Sequence, residues 1–122
     1  MENLVKRTRS IYDGKDQKIA SELLDINCNS CKSKIEVRLN SLKSMVKANS
    51  SKVKTMAQSI SSVHTKQIGD TEFYQAHDLP LKFTEVSCGQ CSTRFVLFYS
   101  FGEVQPARYI LKLVGMFQEH PM

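Results

Sequence analysis

Two short stretches decide the fold, Cys28-Asn29-Ser30-Cys31 and Cys88-Gly89-Gln90-Cys91, and they contain all four cysteines of the 122-residue chain. Two residues between the cysteines of a pair let a tight turn aim both sulfurs at one point. Two such turns supply four thiolates, which suits the tetrahedral preference of Zn²⁺. The spacing therefore predicts one structural zinc ion held by Cys28, Cys31, Cys88 and Cys91, with no coordination position left open for catalysis.

The residues around the two pairs align with each other at an offset of 60, so that Ile26 matches Val86 and Ile35 matches Phe95. Each half predicts a strand, a C-x-x-C turn and a second strand. The two hairpins resemble the zinc-ribbon group, over roughly residues 22–39 and 82–101. The resemblance implies an architecture and not an activity, because zinc ribbons serve many functions.

The chain departs from the usual ribbon pattern in two ways. No glycine follows the second cysteine of either pair, where Lys32 and Ser92 stand, and 56 residues separate the pairs. A redox-active dithiol is the alternative interpretation of a C-x-x-C pair. That chemistry favours a strand, one C-x-x-C pair and a helix. The second pair here opens a strand, whereas a helical pattern follows the first pair within a few residues and leaves its interpretation open.

The segment between the pairs has a heptad pattern of apolar residues, with one polar residue in the seam. The pattern predicts one long helix over residues 37–66, inserted between the two C-x-x-C knuckles, with Gly69 as its stop. The predicted seam consists of Leu39, Leu42, Val46, Asn49, Val53, Met56, Ile60 and Val63.

The sequence is compatible with three arrangements of this segment. The helix can pack within the chain on the sheet, or it can pair through its seam with a second copy or a partner helix, with Asn49 setting the register. It can also break near residues 48–51 and form a helical hairpin.

Positive charge is concentrated in the same part of the chain. Residues 32–66 carry eight lysine or arginine residues against one acidic residue, Glu36, so this segment is +7 while the whole chain is +5. Lys43, Lys47, Lys52 and Lys54 lie off the seam. The lack of acidic residues beside them favours an anionic partner, either nucleic acid or an acidic protein surface.

The two ends of the chain complete the prediction of a single α+β domain over residues 1–122. Residues 1–15 are interpreted as a mobile arm or, alternatively, as a segment whose opening residues contact phosphate. Ile110, Leu113, Val114 and Phe117 have helical spacing, so a C-terminal helix is expected over residues 104–118. The expected fold is thus a pair of zinc-ribbon-like antiparallel hairpins with an inserted long helix and a C-terminal helix.

The function expected from these features is that of a non-enzymatic zinc-ribbon regulator that engages nucleic acid, or its machinery, through the basic helix. No phosphate loop, nucleophile motif or carboxylate pair indicates an enzyme or a small-molecule substrate. The alternatives are a protein–protein adaptor or inhibitor that acts through the heptad-patterned helix, of the kind that viruses and mobile elements encode, and a dithiol redox protein. No segment indicates secretion or a membrane, so a cytoplasmic or nuclear location is expected.

Overall fold

The computed structural model describes residues 2–16, 18, 22, 24–48, 50–106 and 108–119. Most of the described residues belong to antiparallel β-sheet. The elements, in chain order, are β1 (Arg9–Gly14), β2 (Ile26–Asn27), β3 (Lys34–Ile35), a 3₁₀ turn (Leu39–Ser41), β4 (Lys43–Ser44), a second 3₁₀ turn (Met45–Lys47), α1 (Ser51–Ser59), β5 (Val63–Ile68), β6 (Thr71–Ala76), β7 (Leu79–Ser87), β8 (Arg94–Gln105) and β9 (Arg108–Glu119).

The main sheet has the strand order β1-β9-β8-β7-β6-β5, and β4 pairs with β7 beside this series. Strands β5 to β9 form a meander of successive hairpins, and the first strand, β1, pairs with the last strand, β9. Every residue from Phe95 to Ser100 in β8 is buried. Because neighbouring side chains of a strand point to opposite faces, burial of the whole run means that both faces of the sheet are covered.

Two core layers cover the faces, and β8 contributes to both. On the helix face, Val96 and Phe98 pack with α1 and with Met45, Tyr74, Leu81, Phe83, Val114 and Phe117. On the knuckle face, Phe95, Leu97 and Tyr99 pack with the first C-x-x-C hairpin and with Leu24, Val37, Leu111, Leu113 and Met116.

Polar contacts hold the first hairpin on the knuckle face. The buried Tyr99 hydroxyl donates a 3.0 Å hydrogen bond to the Leu24 carbonyl, and Val37 N–H donates to the Asp25 carboxylate at 2.9 Å. The Lys34 ammonium lies 3.1 Å from the same carboxylate. The Val37 hydrogen bond, helped by Lys34, lowers the pKa of Asp25. These contacts matter because the β2–β3 ladder has only two residue pairs.

The predicted long helix over residues 37–66 is wrong, and the α+β class with it. This segment contains two 3₁₀ turns, the short strand β4, the nine-residue helix α1 and the start of β5. Two serines that the sequence pattern assigns to the polar face of the long helix act instead as N-caps of short elements. The Ser44 hydroxyl accepts from Val46 N–H, and the Ser50 hydroxyl accepts from Val53 N–H at the start of α1. Such local hydrogen bonds compete with a continuous helix.

The predicted seam is divided between the two faces of the sheet. Val53, Met56 and Ile60 are buried on the helix face, whereas Leu39 and Leu42 pack on the knuckle face. Val63 packs partly on the helix face, Val46 is half exposed, and Asn49 lies outside the described residues. A coiled coil through this seam is therefore ruled out, and the apolar face of α1 packs within the chain.

The predicted C-terminal helix over residues 104–118 is also wrong, because β8 extends to Gln105 and β9 follows from Arg108. In β9 the pairing slips by one residue, since Phe98 faces Gly115 while Tyr99 faces Leu113. The slip is a β-bulge at Val114. It shifts the alternation of side chains by one residue, so that Leu113 and Met116 lie on the knuckle face while Val114 and Phe117 lie on the helix face. The resulting spacing of three residues on each face imitates a helix.

The segment interpreted as a mobile arm contributes the edge strand β1. Before it, Leu4 N–H donates to the Met116 carbonyl at 2.8 Å, and the Asn3 side chain bonds the backbone of Val114 and Met116. Among the described residues, no helix is long and apolar enough to cross a membrane.

Gly115 leaves room for α1 to approach the sheet, and this gives a stability prediction. A Cβ atom at this position would lie 2.5 Å from Ile60 Cδ1. We expect Gly115→Ala to destabilise the fold by about 1–3 kcal/mol through overpacking. Adding Ile60→Val removes Cδ1, so the double variant should lose less than the sum of the two single variants. Urea denaturation of all four proteins measures this coupling, and strictly additive losses would contradict the packing described.

Candidate metal centre

The four cysteine sulfurs meet at one point, as the sequence predicts. Cys28 and Cys31 lie in the turn between β2 and β3, and Cys88 and Cys91 lie in the turn between β7 and β8. All four sulfurs are within 4.8 Å of one another. Two sulfur pairs join the hairpins directly, with 3.5 Å from Cys28 Sγ to Cys91 Sγ and from Cys31 Sγ to Cys88 Sγ.

These distances fit a metal ion better than disulfide bonds. A tetrahedral ion with metal–sulfur bonds of about 2.3 Å separates its sulfurs by about 3.8 Å. A disulfide requires about 2.05 Å, and all four cysteines are free thiols. The four cysteines could therefore hold one metal ion, with each sulfur as a ligand.

The two knuckles have the same backbone structure, which agrees with the internal repeat. The N–H of the first cysteine donates across the turn, from Cys28 to the Ser33 carbonyl and from Cys88 to the Thr93 carbonyl, both at 2.8 Å. Lys32 N–H then donates back to the Cys28 carbonyl at 3.0 Å, and Ser92 N–H donates to the Cys88 carbonyl at 2.9 Å.

The residue after each second cysteine adopts a left-handed conformation, with φ of 66° at Lys32 and 62° at Ser92. Glycine adopts this conformation without a steric penalty, whereas other residues do so at a cost. Lys32 and Ser92, which stand where glycine is usual, therefore lower the stability of each knuckle but leave its shape unchanged.

Hydroxyl groups next to the cluster favour thiolates, which are the form that binds metal. Hydrogen bonds from the Ser33 side chain and backbone lower the pKa of Cys31 to about 6. In the matching position, hydrogen bonds from Thr93 lower the pKa of Cys91, and Thr93 Oγ1 lies 3.0 Å from Cys91 Sγ.

The thiol of Cys88 behaves differently. Backbone N–H groups of Cys91 and Gln90 lower its pKa, but desolvation and hydrogen bonds with the neighbouring cysteine sulfurs outweigh them and raise it. Four thiolates without a cation would repel one another, so a bound cation is what allows all four to ionise together.

Ser33 and Thr93 are site residues that the sequence interpretation missed. The sequence does contain a signal for them, because the offset of 60 aligns the two residues with each other, two positions after the second cysteine of each pair. A hydroxyl residue at the same place in both repeats indicates a shared role beside the sulfur.

The structure disfavours the dithiol interpretation. Each C-x-x-C turn is followed by a strand, β3 or β8, and neither pair lies at the start of a helix. The helix N-terminus that lowers the pKa of reactive dithiols is therefore missing at both turns.

The four lysines predicted to bind an anionic partner do not share one helix face. Lys43 lies in β4, Lys47 lies in a 3₁₀ turn with its side chain outside the described part of the chain, and Lys52 and Lys54 lie in α1. Lys52 Nζ is 3.8 Å from Glu119 Oε1. Lys54 borders a cavity that Asp70 and Glu72 also line. Of the four lysines, Lys52 is thus close to a carboxylate, and Lys54 shares a cavity lining with two acidic residues.

Comparison with models of known protein families, with curated proteins and with solved structures finds no match to this chain. The chemistry of this site is therefore inferred from its own geometry.

The left-handed residues give a prediction about stability. Ser92→Gly should raise the free energy of unfolding by about 0.5–1 kcal/mol, because the relief of backbone strain exceeds the added freedom of the unfolded chain. Ser87→Gly, in the exposed part of β7, is the matched control and should lower it by about 0.5–1 kcal/mol. Denaturation of both metal-loaded variants in urea measures the difference, and a loss of stability in Ser92→Gly would contradict the strain.

The hydroxyl donors give a prediction about pH. A lowered thiol pKa keeps the thiolate present until the pH falls further, so the metal resists proton competition. Ser33→Ala removes a donor and raises the pKa of Cys31, so the ion should be released at a higher pH than in the unmodified protein. Stepwise acidification with a chromophoric chelator follows the release. Ser30→Ala is the control, since only the backbone N–H of Ser30 contacts Cys28 Sγ, and equal release curves would refute a role for Ser33.

Proposed function

We propose that this chain is a non-enzymatic, zinc-ribbon-like binding protein that holds one structural zinc ion and engages nucleic acid through the exposed cations of residues 32–66. The observation that carries the nucleic-acid part is the exposure of seven of the eight cations in this segment, namely Lys32, Lys34, Arg38, Lys43, Lys52, Lys54 and Lys66.

Zinc is the ion that this donor set fits best. Four cysteine sulfurs in tetrahedral array are typical of structural zinc sites, and they leave no position for water or substrate. The binding free energy of such an ion contributes to folding, since the unfolded chain has no preformed site. Since a structural ion of this kind has no open position for a reaction, it supports the assignment as a binding protein, in which surface residues contact the partner.

Most of the exposed cations lack a carboxylate partner. Within the part of the chain that the structure describes, only Lys34 and Lys52 of this segment form ion pairs, with Asp25 and Glu119. Lys32, Arg38, Lys43 and Lys66 form none with another described residue. Phosphate groups of a nucleic acid would supply the missing anions, with the release of counterions as the driving force.

A salt titration tests this function. Fluorescence anisotropy with labelled single-stranded RNA, single-stranded DNA and duplex DNA should show binding at 50 mM salt that weakens steeply as the salt rises. Lys43→Ala with Lys66→Ala should reduce the slope of log K against log salt by about 1.4 for single strands if each cation meets one phosphate.

Lys6→Ala is the matched control, because Lys6 lies outside the segment and pairs with Glu2 at 3.1 Å. It should leave the slope unchanged. Native mass spectrometry of the same preparation counts bound zinc. Absence of binding to all three nucleic acids at 50 mM salt would disprove the nucleic-acid function, and a folded protein without metal would disprove the zinc site.

A protein–protein adaptor is the second candidate, supported by a different surface. Strand β5 is an edge of the sheet, and Ile68 and Phe73 of the β5–β6 hairpin are 55% and 36% exposed. Exposed edges with apolar side chains can accept a strand from another chain. This candidate predicts that the uncharged change Ile68→Ser weakens partner binding while the cations of residues 32–66 stay unchanged, which size-exclusion chromatography with light scattering of the complex would measure.

A further inference from the structure

A cavity of about 660 Å³ lies on the knuckle face of the sheet, beside the segment 38–42. Phe101 of β8 and Lys82 of β7 form its wall on the sheet side. Both side chains belong to this face, because Phe101 packs on the knuckle-face core and Lys82 is paired with Tyr99. The volume falls within the range of about 300–1,000 Å³ that is usual for small-ligand sites.

The charges that line this cavity have one sign. Among the described residues, its charged lining consists of Lys18, Arg38 and Lys82, and it includes no carboxylate. Arg38 and Lys82 form no ion pair with any other described residue, and Lys82 is half buried. Arg38 and Lys82, which border the same cavity, create a positive potential there that attracts an anion. The fork of an arginine also matches phosphate oxygens.

The remaining lining suits a planar, partly apolar group. Leu39, Leu42 and Phe101 are half buried and border the cavity. The Phe101 ring lies within 9° of parallel to the Tyr109 ring, at a centroid distance of 6.2 Å, and this contact helps to orient it. Nucleic-acid bases stack on such aromatic rings regardless of their sequence. Asn40 adds an amide that can both donate to and accept from a base edge.

We propose that this cavity binds one nucleoside phosphate unit of a single-stranded nucleic acid. Arg38 and Lys82 contact the phosphate, Phe101 and the two leucines hold the base, and Asn40 contacts its edge. The site deepens the nucleic-acid function proposed above and rests on it, because the phosphate belongs to a nucleic-acid strand. A free mononucleotide has the same chemistry, so the experiment must separate the two sources.

The experiment uses the full chain loaded with zinc, a labelled 12-nucleotide single-stranded RNA, and AMP and UMP as free mononucleotides. We expect Arg38→Ala with Lys82→Ala to weaken RNA binding about tenfold or more, since hydrogen bonds to charged groups are lost. Phe101→Leu keeps an apolar side chain of similar size and should weaken it at least about fivefold through lost stacking. Lys43→Ala with Lys66→Ala removes the same charge elsewhere and should weaken it less than the Arg38 and Lys82 pair.

The outcomes separate this site from the general function. If RNA binds and the cavity variants bind it as tightly as the unmodified protein, the cavity site is wrong while nucleic-acid binding stands. If only AMP or UMP binds, and the cavity variants weaken that binding, the cavity holds a nucleoside phosphate and the nucleic-acid function fails. If neither RNA nor mononucleotide binds, both are wrong.

A crosslinking measurement keeps the test independent of variant folding. RNA carrying 4-thiouridine is irradiated with the unmodified protein, and the linked peptides are identified by mass spectrometry. Links to residues 38–42 or to Phe101 support the cavity site. Links confined to the β5–β6 hairpin or to α1 would overturn it.

Discussion

Four thiol groups from two distant parts of the chain must converge within 4.8 Å, and the rest of the structure is arranged around this requirement. The first hairpin has a ladder of only two residue pairs, and a hairpin of that size has little stability on its own. It stays in place because the cysteine cluster, the Tyr99–Leu24 hydrogen bond and the core of the knuckle face hold it against the sheet. A metal ion in the cluster would join the hairpin directly to β7 and β8, which makes its binding part of the folding energy.

The first C-x-x-C hairpin covers the knuckle face of the sheet, and α1 covers the helix face. Strand β8 lies between the two layers, so its alternating residues serve different cores, with Phe95, Leu97 and Tyr99 on one side and Val96 and Phe98 on the other. This arrangement lets a chain of 122 residues build a core on each face of one sheet. It also places the cavity beside Phe101 on the same face as the cysteine cluster.

Periodicity misled the sequence interpretation where a residue's neighbours come from distant parts of the chain. Leu39 and Leu42 have heptad spacing with Val53 and Met56, yet the two pairs lie on opposite faces of the sheet. In β9, a one-residue bulge turns alternating strand positions into an apparent i, i+3, i+4, i+7 pattern. A helix and a bulged strand buried on both faces give similar apolar spacings, and only the pairing partners distinguish them.

Local chemistry was predictable from the sequence alone. The four clustered cysteines, the two hairpins and their matching repeat depend on spacings of a few residues. The two-residue spacing of a C-x-x-C pair is enough to bring its two sulfurs together. The tertiary structure alone decided that residues 37–66 break into turns, a strand and a short helix, that residues 108–119 form a strand, and that Arg38 and Lys82 face one cavity. These features depend on contacts between residues far apart in the chain, and the energy of such contacts exceeds the weak preferences that local sequence expresses.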